Sequence, residues 1–179
     1  MIAGIILSET DKEKVHIAFL GDEKTETLSL KDNEKIVEKL KKEEPDIVAV
    51  DADTEHGEDE FSEREEELKE EGYNFTPASA EKRKVKRLQG LKAILRRDME
   101  MPPEFIRFDP FISARELALE DERGLESLGI ETEGIKSDRQ FDAMLGAVTA
   151  RFYDQSQFRD LGVIVPGEHE EDEDTDERA

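Results

Sequence analysis

One short apolar run near the N-terminus restricts the folds available to this chain more than any other feature. Residues 2–7 read Ile-Ala-Gly-Ile-Ile-Leu, without a polar side chain, and residues 47–50 form a second such run. A strand with one wet face alternates polar and apolar side chains, whereas an uninterrupted run predicts a strand that is buried on both faces. We therefore expect a sheet that is flanked by helices.

The rest of the chain supplies the other strands and the helices. Strands are predicted at residues 14–20 and 25–30, where polar and apolar side chains alternate, and at residues 104–108. Helices are predicted between Asp32 and Pro45, at residues 62–71, 80–98 and 114–119, and after Ser137, where Gln140 completes a capping-box pattern. The helix at 62–71 carries almost no apolar stripe, so we expect it to be exposed to solvent.

The order of these elements indicates one fold class. Three strands, a helix, a strand, a helix, a strand and a final helix follow one another in the ribonuclease-H-like fold. We therefore predict an α/β protein with a mixed five-stranded sheet, in which three antiparallel strands are followed by parallel additions and helices flank the sheet. Such an analogy predicts a fold and leaves the function open.

Composition limits the setting and the chemistry. The chain has 179 residues, and its last thirteen, residues 167–179, contain eight acidic side chains and no aliphatic one larger than alanine. We expect residues 1–166 to form one domain and the acidic tail to be disordered, because the tail cannot bury enough apolar surface to order itself. The absence of cysteine excludes disulfides, thiolate metal sites and cysteine nucleophiles. Without a visible signal peptide or membrane span, a soluble cytoplasmic protein is expected, and its oligomeric state stays open.

Charge is distributed unevenly along the chain. The net charge is -22, yet residues 82–97 hold eight of the 26 basic side chains and no acidic one. Lys84, Arg87 and Lys92 in this basic segment are candidates for binding the phosphates of a nucleic acid. The alternative is that the basic segment pairs with the acidic residues 54–71 or with the acidic tail, which the acidic composition favours.

Four stretches resemble, in their order and spacing, a family of predicted nucleases with the RNase H fold, the domain-of-unknown-function 429 family. They are Gly4-Ile5, residues 46–52, residues 72–77 with the basic helix at 87–95, and residues 137–151 with 163–166. The resemblance implies a nuclease that hydrolyses phosphodiesters with Mg²⁺ or Mn²⁺ held between carboxylates. Ile6 and Arg107 depart from the family's pattern, since both stand where an acid is expected.

Asp51 and Asp142 are the candidate metal ligands and, with Asp138, the candidate catalytic residues. Asp51 ends a predicted buried strand, at the edge where open α/β sheets place their sites, although it can also serve to cap the following turn. Asp138 and Asp142 lie four residues apart on one helix face, where their repulsion is easier to understand if a cation lies opposite. Asp138 can equally serve the helix dipole in the first turn, which makes Asp142 the stronger candidate.

Three further residues can modulate this site. Asp53 and Asp109 follow Asp51 and Arg107 by two positions, so each shares the direction of its neighbour where the strand continues. Either can restore a missing charge. Arg107 can pair with Asp51 or Asp142 and hold the site together without a metal ion.

Two hypotheses about function follow. In the first, the protein is a Mg²⁺- or Mn²⁺-dependent nuclease, with a site that is complete or degraded. In the second, it is a non-catalytic relative that binds nucleic acid or a protein partner through the basic helix at 82–97. The structure can separate them. Carboxylates of Asp51 and Asp142 within reach of one metal ion, with Arg107 turned away, favour the enzyme, whereas an Arg107 that bridges them favours the binding protein.

Overall fold

A computed structural model describes residues 1–10, 12–54 and 63–168 of the chain. The predicted acidic tail therefore lies almost wholly outside the described residues, as does the start of the helix predicted at 62–71. The described part is an α/β arrangement built around a five-stranded sheet. In that part no helix is long and apolar enough to cross a membrane.

The sheet has the strand order β3-β2-β1-β4-β5, with β1 at its centre. The strands are β1 Ile2–Ile6, β2 Val15–Leu20, β3 Thr25–Leu30, β4 Ile47–Val50 and β5 Glu104–Arg107, and a separate hairpin consists of β6 Phe158–Asp160 and β7 Ile164–Pro166. The first three strands pair antiparallel, and β4 and β5 add in parallel beyond β1. The predicted mixed sheet is confirmed.

Helices cover both faces of the sheet, as the uninterrupted apolar runs require. They are α1 Asn33–Glu43, α2 Glu63–Glu70, α3 Lys82–Asp98, α4 Pro110–Glu116, α5 Glu122–Ser127 and α6 Asp138–Asp154, with a 3-10 turn at Ala78–Glu81 before α3. Apolar side chains of α1 and α3 pack on one face of the sheet, and those of α6 pack on the other. All five residues of β1 are buried between these layers.

The contact between β1 and α6 is unusually close because both elements carry small residues where they cross. A Cβ atom built on Gly4 would lie 2.0 Å from the carbonyl oxygen of Ala143 and 2.3 Å from the amide nitrogen of Ala147. On α6, a Cβ atom at Gly146 would lie 2.6 Å from the ring of Phe108. Glycine at these positions lets the helix backbone rest on the sheet, and this fixes the height of α6 relative to the end of β4.

Three sequence predictions differ from the structure. Helix α2 is not wholly exposed, since Glu65 and Leu68 are 1% and 0% exposed, and Leu68 packs in a small apolar cluster with the hairpin. The helix predicted at 114–119 begins instead at Pro110, because the side chain of Asp109 caps its first turn. Residues 158–166, where the predicted element order has no strand, form the hairpin β6–β7.

Candidate functional site

Asp51 is the residue on which the site is built, and it connects three elements. It follows β4 directly, and its side chain is 9% exposed. Its Oδ1 accepts a hydrogen bond of 2.8 Å from the backbone N–H of Leu7, just beyond β1, and its Oδ2 accepts one of 2.8 Å from Nζ of Lys84 on α3. The structure places Asp51 at the carboxyl end of a buried strand, as predicted.

Lys84 is the cation that faces Asp51. Its ammonium also contacts Oε1 of Glu81 at 3.3 Å, and its side chain is 15% exposed. Burial lowers the pKa of Lys84, but the carboxylates of Asp51 and Glu81 outweigh that effect and raise it. Burial raises the pKa of Asp51 against the opposing influence of Lys84 and the Leu7 N–H. Burial also raises the pKa of Glu81 to about 7, with Lys84 opposing the rise and Asp51 adding to it.

Asp142 lies near this pair, on the second turn of α6. Burial, followed by repulsion from Asp51, Asp138 and Asp109, raises the pKa of Asp142 to about 6, although Arg139 acts in the opposite direction. The guanidinium of Arg139 lies 3.9 Å from the Asp142 carboxylate and is largely exposed, so it compensates the charge only weakly. The structure thus places Asp51 and Asp138 within electrostatic reach of Asp142.

Asp109 and Asp53 both lie beyond the ends of the strands that were expected to direct their side chains. The strand β5 ends at Arg107, and Asp109 caps α4 by accepting hydrogen bonds from the backbone N–H groups of Phe111 and Ile112 at 2.9 and 3.3 Å. Burial raises the pKa of Asp109, and these N–H groups oppose the rise. Asp53 is half-buried in the turn after β4, which ends at residue 50, so the alternation of a strand no longer directs its side chain.

Arg107 is turned away from Asp51 and Asp142, which meets one of the two conditions expected of the enzyme and excludes Arg107 as the bridge between these acids. Its Nη1 donates a hydrogen bond of 2.9 Å to Oε1 of Glu65 on α2, and its Nη2 donates one of 3.2 Å to the carbonyl of Thr76. Both side chains of the Arg107–Glu65 pair are buried. The cation that bridges to the Asp51 carboxylate is therefore Lys84, a residue that the sequence assigned to phosphate binding.

Arg87, the second residue predicted to bind phosphate, is part of the interior. Its guanidinium donates to Asn33 at 2.9 Å, to the hydroxyl of Ser8 at 2.7 Å and to the carbonyl of Lys31 at 2.9 Å. These bonds tie α3 to the loops after β1 and β3. The prediction that Arg87 binds nucleic acid is corrected here, because the side chain is buried and used within the fold.

Lys92, the third predicted phosphate ligand, lies two turns along α3 and is half-buried. Its ammonium donates to the carbonyl of Thr54 at 3.2 Å and lies 5.6 Å from the ring centre of Phe105. Five other cations of the helix are exposed: Lys82, Arg83, Lys86, Arg96 and Arg97. Arg97 pairs with Asp98, and the other four make no ion pair within the described residues.

The apolar spacing of α3 contains a signal for the buried roles of Lys84 and Arg87. The buried stripe of the helix contains Leu88 and Leu91, and each lies four residues after one of these two cations. Residues four apart share a helix face, so Lys84 and Arg87 border the buried stripe, whereas Lys82, Arg83 and Lys86 lie on the outer face. Glu81, which completes the cluster with Asp51 and Lys84, carries no such signal in the sequence.

The residues of the site do not fit a divalent metal ion. In the part of the chain that the structure describes, no group of three or more His, Cys, Asp or Glu side chains is arranged to hold one. Both oxygens of Asp51 already accept hydrogen bonds, and Ile6, at the end of β1 beside it, is apolar and 2% exposed. Mg²⁺ requires several oxygen ligands in a near-octahedral arrangement, and this set does not supply them.

Comparisons with known proteins identify the fold. No protein-family model matches the chain, so the resemblance to the domain-of-unknown-function family is not confirmed, and no curated protein matches it either. Thermus thermophilus RuvC in complex with a Holliday junction substrate matches at 20% identity with a TM-score of 0.52, and a second RuvC structure from Thermus thermophilus matches at 18% with a TM-score of 0.47. Each match covers 92% of this chain and 98% of the other. The chain has the RNase-H-like fold of RuvC.

Proposed function

We propose that this protein binds nucleic acid through the outer face of α3 and does so without a divalent metal ion. The observation that carries the proposal is the set of four exposed cations on α3, Lys82, Arg83, Lys86 and Arg96, which make no ion pair within the described residues. The described acids of residues 64–71 do not pair with these four cations, and cations exposed together on one helix face favour an anionic partner.

The arrangement of these cations suits a phosphate backbone. Lys82, Arg83 and Lys86 lie within one turn and a half at the N-terminal end of α3, and Arg96 lies near its C-terminal end. Lysine and arginine side chains spaced along a helix supply sequence-independent contacts with phosphates, which release counterions on binding. The expected interaction is therefore one of shape and charge, without selection of particular bases.

A cavity of about 530 Å³ adjoins the N-terminal end of α3 and extends the proposed surface. Its charged lining includes the cations Lys14, Lys84 and Arg139 and the acids Glu9, Glu13 and Glu81, around the half-buried His16. Burial, and then Arg139 and Lys14, lower the pKa of His16. The charges of Arg139 and Lys14 thus act on this part of the cavity, which three acids line as well.

The first test is a binding titration with a fluorescently labelled DNA four-way junction and a linear duplex. The four-way junction is chosen because the solved structure with the same fold contains a Holliday junction. We expect salt-sensitive binding, with the double variant Lys82→Gln/Lys86→Gln binding about tenfold more weakly. Lys35→Gln/Lys42→Gln on α1 removes the same charge from another helix and should leave the affinity unchanged. Equal losses in the two double variants would refute the proposed surface.

A second candidate function is phosphodiester hydrolysis with Mg²⁺ or Mn²⁺ at Asp51 and Asp142, supported by Asp138, and it requires the ion to displace Lys84 from the Asp51 carboxylate. The observation that favours it is the group of acids from separate elements around Asp142, namely Asp51, Asp138 and Asp109, because convergent carboxylates are typical of catalytic centres. Cleavage of the labelled junction in MnCl₂ by the wild type, and its loss in both Asp51→Asn and Asp142→Asn, would support this candidate. Cleavage that persists in both variants would assign it to a contaminant.

A further inference from the structure

We infer that the Lys84 ammonium is the resident cation of this centre and occupies the place at the Asp51 carboxylate that a divalent ion would need. The inference concerns the centre itself and does not depend on whether α3 binds nucleic acid. It gives Lys84 a defined role, that of a fixed internal counter-ion, in place of the phosphate contact predicted from the sequence.

Hydrogen bonds from Lys84 and Leu7 occupy both oxygens of the Asp51 carboxylate. Nζ of Lys84 lies 2.8 Å from Oδ2 of Asp51, and the N–H of Leu7 donates to Oδ1 at 2.8 Å. An ammonium has three donors, and a second one is directed at Glu81 Oε1 at 3.3 Å. The carboxylate thus has a protein donor on each oxygen, and one of the two donors is a full positive charge that would repel a divalent ion at the same carboxylate.

Burial keeps the Lys84 ammonium next to the Asp51 carboxylate. The side chains of Lys84 and Asp51 are 15% and 9% exposed, so the two charges have lost most of their contact with water. Moving the ammonium into solvent would leave the Asp51 carboxylate buried without its counter-charge, which is strongly unfavourable. The neighbouring residues Val85 and Leu88 are buried and hold this part of α3 against the sheet, which keeps Lys84 in place.

The residues around Asp51 supply a positive charge, whereas the neighbouring strand end supplies no side-chain oxygen for a metal ion. Ile5 pairs with Val50 in the parallel ladder of β1 and β4, so the next residue, Ile6, lies at the level of Asp51 and offers no oxygen to an ion. The Lys84 ammonium lies between two carboxylates, Asp51 at 2.8 Å and Glu81 at 3.3 Å, so the chain itself supplies a positive charge to these acids.

A nuclear magnetic resonance titration with MgCl₂ tests the inference on the unmodified full-length protein. The signals to follow are the backbone amide of Leu7 and the side-chain ammonium of Lys84, the latter assigned by its disappearance in Lys84→Arg. We expect neither signal to shift in a saturable way. A saturable shift of both signals that Asp51→Asn abolishes would show that Mg²⁺ takes the carboxylate and would overturn the inference.

A thermal unfolding cycle tests the pairing itself. Lys84→Met and Asp51→Asn should each lower the midpoint of unfolding, because each leaves one buried charge without its partner. The double variant should lose clearly less than the sum of the two single losses. Lys86→Met, an exposed lysine on the same helix, serves as the matched control and should change the midpoint little. Additive losses in the cycle would overturn the inference.

Discussion

At the scale of single residues, the molecule pairs its buried charges separately and does not gather them around one ion. Asp51 pairs with Lys84, and Arg107 pairs with Glu65 on α2. Both pairs lie at the carboxyl end of the parallel strands, where ligands bind in many open α/β sheets. A buried pair of this kind does not by itself add much stability, but each partner depends strongly on the other.

The Arg107–Glu65 pair leads to a prediction about stability. Replacing Glu65 with Gln leaves the buried guanidinium without its counter-charge, and we expect a loss of about 3–5 kcal/mol in the free energy of unfolding. Urea unfolding followed by circular dichroism measures the loss. Lys35→Gln removes one partner of an exposed pair with Asp32 and should cost under about 1 kcal/mol. Similar costs for the two variants would contradict the importance assigned to burial.

Asp142 leads to a prediction about pH. Its pKa rises from 3.8 to about 6 on folding, so between about pH 4 and 6 the native state binds more protons than the unfolded state, and stability falls as the pH rises. Asp142→Asn removes this effect. The variant should be about 1–2 kcal/mol more stable than the wild type at pH 7 and should lose that advantage near pH 4.

Urea unfolding at a series of pH values measures this difference. Asp22→Asn changes the net charge equally at an exposed turn and should show no such crossover. If the free energies of unfolding of Asp142→Asn and the wild type differ by a constant amount across the whole pH range, the Asp142 carboxyl does not titrate as inferred.

At the scale of elements, the packing of α6 on β1 positions the acids of the site. Gly4 and Gly146 allow the helix backbone to contact the strand, and this contact places Asp142 near the end of β4. Gly90, by contrast, lies exposed on α3, and a Cβ atom there would meet nothing within 4 Å. A change from glycine to alanine should therefore lower the stability at Gly4 and raise it at Gly90.

Gly4→Ala should be severely destabilising, by at least about 3 kcal/mol or to the point of failed folding, because the new methyl group would collide with the backbone of α6. Gly90→Ala should instead stabilise the protein by about 0.5–1 kcal/mol, because alanine favours the helix. Thermal unfolding of the two variants beside the wild type measures both effects. A well-folded Gly4→Ala with an unchanged midpoint would contradict the close contact.

Much of the fold could be predicted from the sequence because local patterns specify it. The apolar run of β1, the alternation in β2 and β3, and the capping residues Ser137 and Gln140 each indicate an element without reference to the rest of the chain. The start of α4 and the hairpin β6–β7 could not be predicted in this way. Asp109 reads equally as a strand residue, and β6 and β7 are only three residues each.

The candidate site could be predicted only in part. The sequence identified Asp51 and Asp142, because a strand end and a helix face are local features. It offered Arg107 as a partner of Asp51 or Asp142, because Arg107 stands where the resembled family has an acid. The pairing of Asp51 with Lys84 depends on how α3 lies across the sheet, and that is a tertiary property that no local pattern specifies.

At the scale of the whole molecule, the acidic surface and the basic helix act against each other. A net charge of -22 repels a polyanion over long range, and salt screens this repulsion together with the attraction of α3. The dependence of affinity on salt therefore reports how many phosphates α3 neutralises. In the double variant Lys82→Gln/Lys86→Gln, the slope of log K against log salt should be smaller by about 2 than in the wild type. An unchanged slope would show that these lysines do not contact phosphates.

One titration tests both the role of Lys84 and the binding surface on α3. The anisotropy of a labelled DNA four-way junction is measured with the wild-type protein, once in EDTA and once in MgCl₂. The DNA recovered from each point is then run on a denaturing gel. With Lys84 as the resident cation and α3 as the binding surface, the junction should bind equally well in both conditions, apart from the effect of ionic strength, and should remain intact. Binding that requires Mg²⁺, or cleavage that Asp51→Asn abolishes, would contradict this and would identify the protein as a metal-dependent nuclease.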